Sequence, residues 1–242
     1  MYNKTQKRIC LWSGPRNIST ALMYSFAQRS DTVVFDEPLY AHYLVNSPRK
    51  PFHPGNEEVI YSMENDGKKV IETMLGPQSK PMAFFKQMTH HLIELDFEFL
   101  AKVQNVILTR DPVDMLPSYA KQVAKPIMDD VGYALQHKLT KYFDKNDIPY
   151  VVLDSKKVLK DPKGVLQKLC AALEIPFEDN MLHWKAGARK EDGVWAKYWY
   201  GSVHKSTGFQ PYKAKSEAFP EKLKPLLSQC IPLYEALMDQ AL

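Results

Sequence analysis

Five short apolar runs constrain this chain more than any other feature. They are "RICLW" (8–12), "TVVFD" (32–36), "MAFFK" (82–86), "NVILT" (105–109) and "YVVLD" (150–154), and each stops at a polar or charged position. Runs of this length, rich in aliphatic and aromatic side chains, predict strands buried on both faces. Helical patterns separate them, over 18–29, 67–76 and 161–173, with a further helix opened by Asp111 as N-cap and Pro112 at its first position. The tail over 217–242 is helical in pattern, broken by Pro220, Pro225 and Pro232. Strands alternating with helices predict an α/β three-layer sandwich with a central parallel sheet of about five strands. In such sheets ligands sit at the carboxyl ends of the strands. The candidate positions are therefore 13–20, 36–37, 86–91, 110–111 and 154–155.

The length of 242 residues predicts one domain over 1–242. "NSPRKPFHPGNEE" reads as a loop, and 46–80 as a possible lid insert. Lys plus Arg number 32 against 28 for Asp plus Glu. That net charge of +4 is too mild to predict nucleic-acid binding, and it suits a small anionic ligand. Cys10, Cys170 and Cys230 lie far apart among apolar neighbours, so reduced core thiols are expected and no zinc site. The amino-terminal stretch has neither a long apolar run nor a small-residue cleavage site, and no run approaches ~18 apolar residues. A cytoplasmic protein without a membrane partner is the expectation. Oligomeric state is not written in these patterns.

The loop after the first strand carries Gly14, Pro15, Arg16 and Asn17, and Ser19 and Thr20 open the next helix. Strand, tight loop and helix N-terminus together make an anion site. The pattern G-x-x-x-x-G-K-[ST] is absent, since no lysine precedes the hydroxyl residue and no second glycine is present. Backbone N–H groups, the Ser19 and Thr20 hydroxyls and the Arg16 fork can still bond an oxyanion. The alternative is a turn capped by Asn17 or Ser19 with Arg16 in solvent. Arg110 leaves the fourth strand, and Ser118 follows about two turns into a helix, so both could face one anion. The alternative there is an arginine paired with Asp111 or Asp114.

Together the two sites are more specific than either alone. "GPRNISTAL" and "RDPVDMLPS" resemble the paired nucleotide-sulfate motifs of the sulfotransferases that use 3′-phosphoadenosine 5′-phosphosulfate (PAPS). The region from "YVVLDSKKVL" onward is also similar, and the resemblance spans roughly 7–184, weakest over 46–80. It is nearer to bacterial and carbohydrate-type members. It implies a fold of the P-loop nucleotide-kinase type and PAPS as donor, with adenosine 3′,5′-bisphosphate (PAP) as product. It assigns Arg16, Asn17, Ser19 and Thr20 to the 5′-phosphosulfate, and Arg110 and Ser118 to the 3′-phosphate. The missing Walker lysine agrees with this chemistry. A sulfonate group carries a single charge and can move without a metal if cations stabilise the leaving phosphate. Arg16 and Lys86 are placed by motif to do so. Ile18 stands where the motif has glycine, Asn17 where it has serine, and Pro117 precedes Ser118 inside a helix.

The acceptor, a small molecule or carbohydrate, needs a base for its hydroxyl or amine. Glu37 follows the second strand at the kind of position where bacterial and carbohydrate sulfotransferases place a glutamate. His90 and His91 follow the third strand, where cytosolic members use Lys-x-His, but here the first histidine is four residues past Lys86. Both readings stay open. The stretch 195–212 is aromatic and basic, and the resemblance puts a nucleotide-covering segment over 190–215. There Trp195 and Trp199 could stack on a base or sugar, and Lys205, Ser206 and Gly208 could reach a phosphate. Two other classes compete. "YVVLD" mimics a Walker B strand, so Asp154 favours a small-molecule kinase using ATP and Mg²⁺. Ile18 and Pro117 favour a non-catalytic nucleotide-binding protein.

Overall fold

The structure, a computed structural model, describes residues 6–50, 53–214 and 217–242. The five apolar runs form strands β1 (Lys7–Ser13), β2 (Thr32–Asp36), β3 (Met82–Met88), β4 (Gln104–Thr109) and β5 (Tyr150–Asp154). All pair in parallel, in the order β2-β3-β1-β4-β5. The first strand is thus the centre of the sheet, and the loop that follows it emerges at the middle of the carboxyl edge. β3 runs two residues past the expected end at Lys86 because β1 continues beside it, with Ser13 opposite Met88.

Alternate residues of each strand feed the two faces. Ile9, Leu11, Phe84, Val106, Leu108 and Leu153 pack against the helices Ser19–Ala27 and Pro162–Ala172. Cys10, Trp12, Phe85, Ile107 and Val152 pack on the other face with the helices Gly67–Leu75 and Tyr133–Lys145. This is the expected three-layer sandwich. The three cysteines are buried and unpaired. No helix among the described residues is long and apolar enough to cross a membrane.

Several elements differ from the sequence expectation. Residues 56–58, expected in a loop, begin the helix Asn56–Ser62, entered through the left-handed Gly55. Its Val59 is fully buried beside Tyr40 and Trp195. Pro51 and Phe52 of the expected loop, and Lys215 of the expected covering segment, lie outside the described residues. The helix Tyr40–Asn46 follows β2 directly and buries five of its side chains. The tail forms the helix Lys224–Met238, with Pro225 in its first turn, where no N–H is needed, and Pro232 inside it.

Candidate active site

A cleft of about 360 Å³ opens at the carboxyl edge of the sheet. Its floor comes from the β1 loop, the ends of β2 and β3, and Arg110; its cover comes from 195–210. One half is built to meet anions and the other is aromatic, with a buried ion cluster between them.

In the anion half, Gly14 lets the loop approach the backbone of residue 131, since a Cβ on it would lie 2.9 Å from the Val131 carbonyl oxygen. Asn17 then locks the turn. Its amide donates to the Leu108 carbonyl at 3.1 Å, and its Oδ1 accepts from the Ile18 N–H at 2.9 Å. The Asn17 side chain therefore braces the loop against β4, and the residue lines the cleft. Ser19 and Thr20 occupy the first turn of the helix Ser19–Ala27 and line the cleft. Arg16 adopts a left-handed backbone, φ 53, which is uncommon for a residue with a side chain. Its guanidinium donates to the Ser118 hydroxyl at 3.2 Å, and the Arg110 guanidinium donates to the Arg16 carbonyl.

Arg16, Arg110 and Ser118 thus form one group, with Arg16 on the side expected for Arg110 and Ser118. Pro117 does not prevent this. It falls near the end of the helix Pro112–Tyr119, where losing one backbone bond does not divert Ser118. Among the described residues neither guanidinium makes an ion pair. Burial, and then the charge of Arg110, push the Arg16 guanidinium below its usual range. Two adjacent cations without a carboxylate are a site that calls for an anion.

Lys86 stands between the two halves, fully buried. Asp36 lies opposite it in the β2–β3 register. The ammonium bonds Asp36 at 2.8 Å, the Tyr200 hydroxyl at 2.7 Å, and Glu37. Tyr200 in turn donates to the Asp36 Oδ2 at 2.7 Å, and the Gly193 N–H donates to the same oxygen at 3.0 Å. Coulomb attraction to the two carboxylates outweighs burial and raises the Lys86 pKa well above its ordinary value. Two carboxylates share one ammonium, so the cluster carries an excess negative charge in a buried setting. Burial is the largest influence on Glu37 and lifts its carboxyl to about 7, with Lys86 opposing and Asp36 adding to the rise. Glu37 also has a left-handed backbone, φ 48, and its N–H donates to the Lys86 carbonyl at 2.7 Å.

The aromatic half holds Tyr40, His53, His90, His91, Trp195 and Trp199. The histidine next to Glu37 is His91, 3.8 Å from the carboxylate, rather than His90. The reason is local. The turn Thr89–Leu92 is a 3₁₀ helix, and it sets His91 against the neighbouring Tyr40 and Tyr43 rings while His90 packs edge-on against Tyr43. Burial keeps both imidazoles neutral, His90 at about 3 and His91 well below its ordinary value.

The cover departs from its expected contacts. The Ser206 hydroxyl accepts from the Trp184 indole at 3.1 Å and donates to the Val203 carbonyl at 2.7 Å, so it is spent within the protein. Gly208 presses on the Leu182 carbonyl, where a Cβ would come to 2.8 Å, and bridges to His183. Lys205 is exposed and does not line the cleft. Tyr200, which the sequence did not single out, reaches Lys86 and Asp36. Asp154 does not face the cleft; its carboxylate caps the helix Ser155–Lys160 and accepts from Tyr234 at 3.1 Å.

Comparison with known proteins agrees with this architecture. The family described as "Sulfotransferase domain" matches residues 7–241. Among solved structures, the sulfotransferase domain of the curacin biosynthetic pathway superimposes with a TM-score of 0.55 at 16% identity, covering 93% of this chain and 97% of that one. The sulfotransferase from Alicyclobacillus acidocaldarius gives 0.57 at 12% identity, covering 98% of each chain. A mouse sulfotransferase complexed with PAP gives 0.50 at 13%, over 98% of this chain and 90% of that one. At these identities the likeness is one of fold. Two Arabidopsis thaliana proteins, branched-chain-amino-acid aminotransferase-like proteins 1 and 2, are 41% and 39% identical over 228 residues, 93% of this chain. The chain spans 40% of the length of these curated relatives.

Proposed function

Because the chain belongs to the sulfotransferase domain family, we propose that it moves a sulfonate group from PAPS to a hydroxyl or amine of a small molecule or carbohydrate. The carrying observation is the carboxylate-free pair Arg16 and Arg110, joined to Ser118 at the head of the cleft. A doubly anionic ligand fits it, and the Ser19–Thr20 helix end beside it suits a second anionic group. The donor supplies an activated sulfur: the acceptor atom bonds to it while the bond to the 5′-phosphate breaks and its electron pair leaves on PAP.

The chain's own residues divide the remaining work. Arg16, Arg110 and Ser118 hold the 3′-phosphate. The first turn at Ser19 and Thr20 holds the 5′ group, and Lys86 lies between that group and Glu37. Lys86 neutralises charge gathering on the leaving phosphate, at the expense of its bonds to Asp36 and Glu37. Glu37 takes the acceptor's proton, which suits a carboxyl lifted to about 7. Trp195 and Trp199 shield the cleft from water. The kinase reading loses its main support, since both oxygens of Asp154 are engaged away from the cleft. The aminotransferase-like name belongs to proteins of which this chain matches 40% of the length.

The test is calorimetric titration with PAP and with adenosine 5′-monophosphate, which lacks the 3′-phosphate. The wild type should prefer PAP by ~100-fold or more, and Arg110→Ala should erase most of that preference by removing charge-assisted bonds of ~1.5–3 kcal/mol. Equal affinity for the two nucleotides in the wild type would overturn the reading.

A further inference from the structure

The net charge of +4 is not spread over this chain. Of its 32 Lys and Arg and 28 Asp and Glu, residues 184–214 hold six and two, which leaves 26 of each over the other 211 residues. The whole excess therefore sits on the segment that covers the cleft. The two carboxylates of that segment are engaged within it. Asp192, 4% exposed at its side chain, accepts from the Tyr24 hydroxyl at 2.6 Å and the Arg189 N–H at 2.8 Å, and lies 2.9 Å from His204 Nε2. Glu191 lies 3.6 Å from the Arg189 guanidinium. Lys197 pairs with Glu58 at 2.6 Å. Lys185, Lys190, Lys205 and Lys213 are exposed, and among the described residues none of them has an ion pair.

The fold holds these four cations at the mouth of the cleft. The Trp184 N–H donates to the Thr207 carbonyl at 3.1 Å and the Gly187 N–H to the His204 carbonyl at 2.7 Å, so the stretch bearing Lys185 runs antiparallel to the stretch bearing Lys205. Val203 and Ser206, on either side of Lys205, line the cleft, as does Gln210 shortly before Lys213. Lys190 follows Arg189, whose guanidinium stacks on Tyr24 of the helix that opens at Ser19. None of the four lines the cleft, so they act on a ligand through their field and not by contact. Like charges gathered in this way repel one another, and an approaching anion relieves the repulsion.

Resting on the sulfotransferase reading, we infer that the outer face of the cover is an electrostatic landing surface for the nucleotide donor. Lys185, Lys190, Lys205 and Lys213 draw the polyanion to the cleft and set how fast it enters, while Arg16, Arg110 and Ser118 set how tightly it is held. PAP carries about four negative charges near neutral pH, two on each phosphate. A surface of one sign beside a cleft raises the association rate of an opposite charge by ~10–10³-fold. Exposed charges act over about one Debye length, so salt abolishes the effect. An acidic protein suits this surface less well. Tyr198 is the one large hydrophobic side chain exposed on the segment, too little for the apolar centre of an interface.

The experiment is stopped-flow association of PAP at ~20 mM and ~0.5 M NaCl, where the Debye length differs about fivefold. The test variant carries Lys185→Gln, Lys190→Gln, Lys205→Gln and Lys213→Gln together. At low salt its association rate should fall ~10-fold or more, its dissociation rate should stay within about twofold, and high salt should remove the difference. Adenosine 5′-monophosphate, with half the charge, should lose much less. A control variant removes the same charge elsewhere, through Lys68→Gln, Lys69→Gln, Lys145→Gln and Lys168→Gln, all at exposed positions that do not line the cleft. It should leave the rate within about twofold. An unchanged rate in the cover variant, an equal fall in the control, or a loss carried by dissociation would overturn the landing surface. If the wild type does not bind PAP, the sulfotransferase reading fails, and the surface is judged on the free protein by paramagnetic relaxation from an anionic nitroxide beside its cationic analogue. The anionic probe should relax the backbone amides around the four lysines more strongly; equal relaxation by the two would overturn it.

Discussion

Tyr200→Phe removes one oxygen from a buried polar cluster and changes almost no volume. In the wild type that oxygen accepts from Lys86 at 2.7 Å and from the Trp195 indole at 3.3 Å, and it donates to Asp36 at 2.7 Å. Two of the three partners are charged, and Lys86 and Asp36 are both 1% exposed at the side chain. A hydrogen bond to a charged group contributes ~1.5–3 kcal/mol, and partners left unpaired in the interior add a desolvation cost. Bonds in one network do not add independently, so a total near ~3 kcal/mol is expected. For a chain of this size ~1 kcal/mol moves Tm by roughly 2–4 °C, which gives a fall of roughly 6–12 °C by differential scanning calorimetry. The circular dichroism spectrum should not change. A fall below ~2 °C would refute the claim that Tyr200 ties the 195–210 segment to the sheet through this cluster.

Three further outcomes are expected. Asn17→Asp replaces the donor to the Leu108 carbonyl with a carboxylate, so it should lower stability by ~1–3 kcal/mol in urea titration and weaken PAP binding by adding negative charge at the anion loop. Gly14→Ala places a methyl group 2.9 Å from a main-chain oxygen and should cost ~1–3 kcal/mol, read as a shift in the urea midpoint with unchanged slope. Glu37 should also leave a mark on pH dependence, through its contacts with Lys86, Asp36 and His91 and the adjoining Tyr40 and Tyr200. Its carboxyl is raised from 4.5 to about 7 by burial, so between these values the folded chain holds a proton that the unfolded chain has released. Its stabilising contribution is therefore complete below about 4.5 and is lost as pH rises through about 7. Glu37→Gln should flatten that slope, and in turnover it should cost ~10²–10⁴-fold and abolish the rise in rate through the same pH range.

The strands were legible because each is buried on both faces, which leaves an uninterrupted apolar run; β2 and β5 have the expected ends. The cap at Asp111 was equally plain, since its side chain accepts from the Val113 N–H as the Asp-Pro pair implies. The helix Tyr133–Lys145 escaped notice because two of its buried positions are polar. Gln136 reaches the Leu108 carbonyl at 2.9 Å, and Thr140 bonds the His137 carbonyl, so the apolar stripe is interrupted where the helix meets strand ends. In the site, motif spacing pointed to Glu37 and Arg110, which follow strands directly, and to Ser118 in the helix beyond. It could not give the partners that tertiary packing brings in. Tyr200 lies 164 residues from Asp36, and the choice between His90 and His91 depends on one turn of 3₁₀ helix. Ser206 has the right chemistry for phosphate, but the fold spends its hydroxyl on the Val203 carbonyl and on Trp184, and Asn17 is partly engaged in bracing its own loop.

The most direct measurement of the central claim is a thermal-shift titration with PAP, set beside ATP plus Mg²⁺, in the wild type and in Arg110→Ala. Ligand at 100 times its dissociation constant adds ~2.7 kcal/mol to stability. That corresponds to roughly 5–11 °C for a chain of this length. The account predicts such a rise with PAP in the wild type, most of it lost in Arg110→Ala. A rise only with ATP and Mg²⁺, or a PAP response indifferent to Arg110, would contradict it.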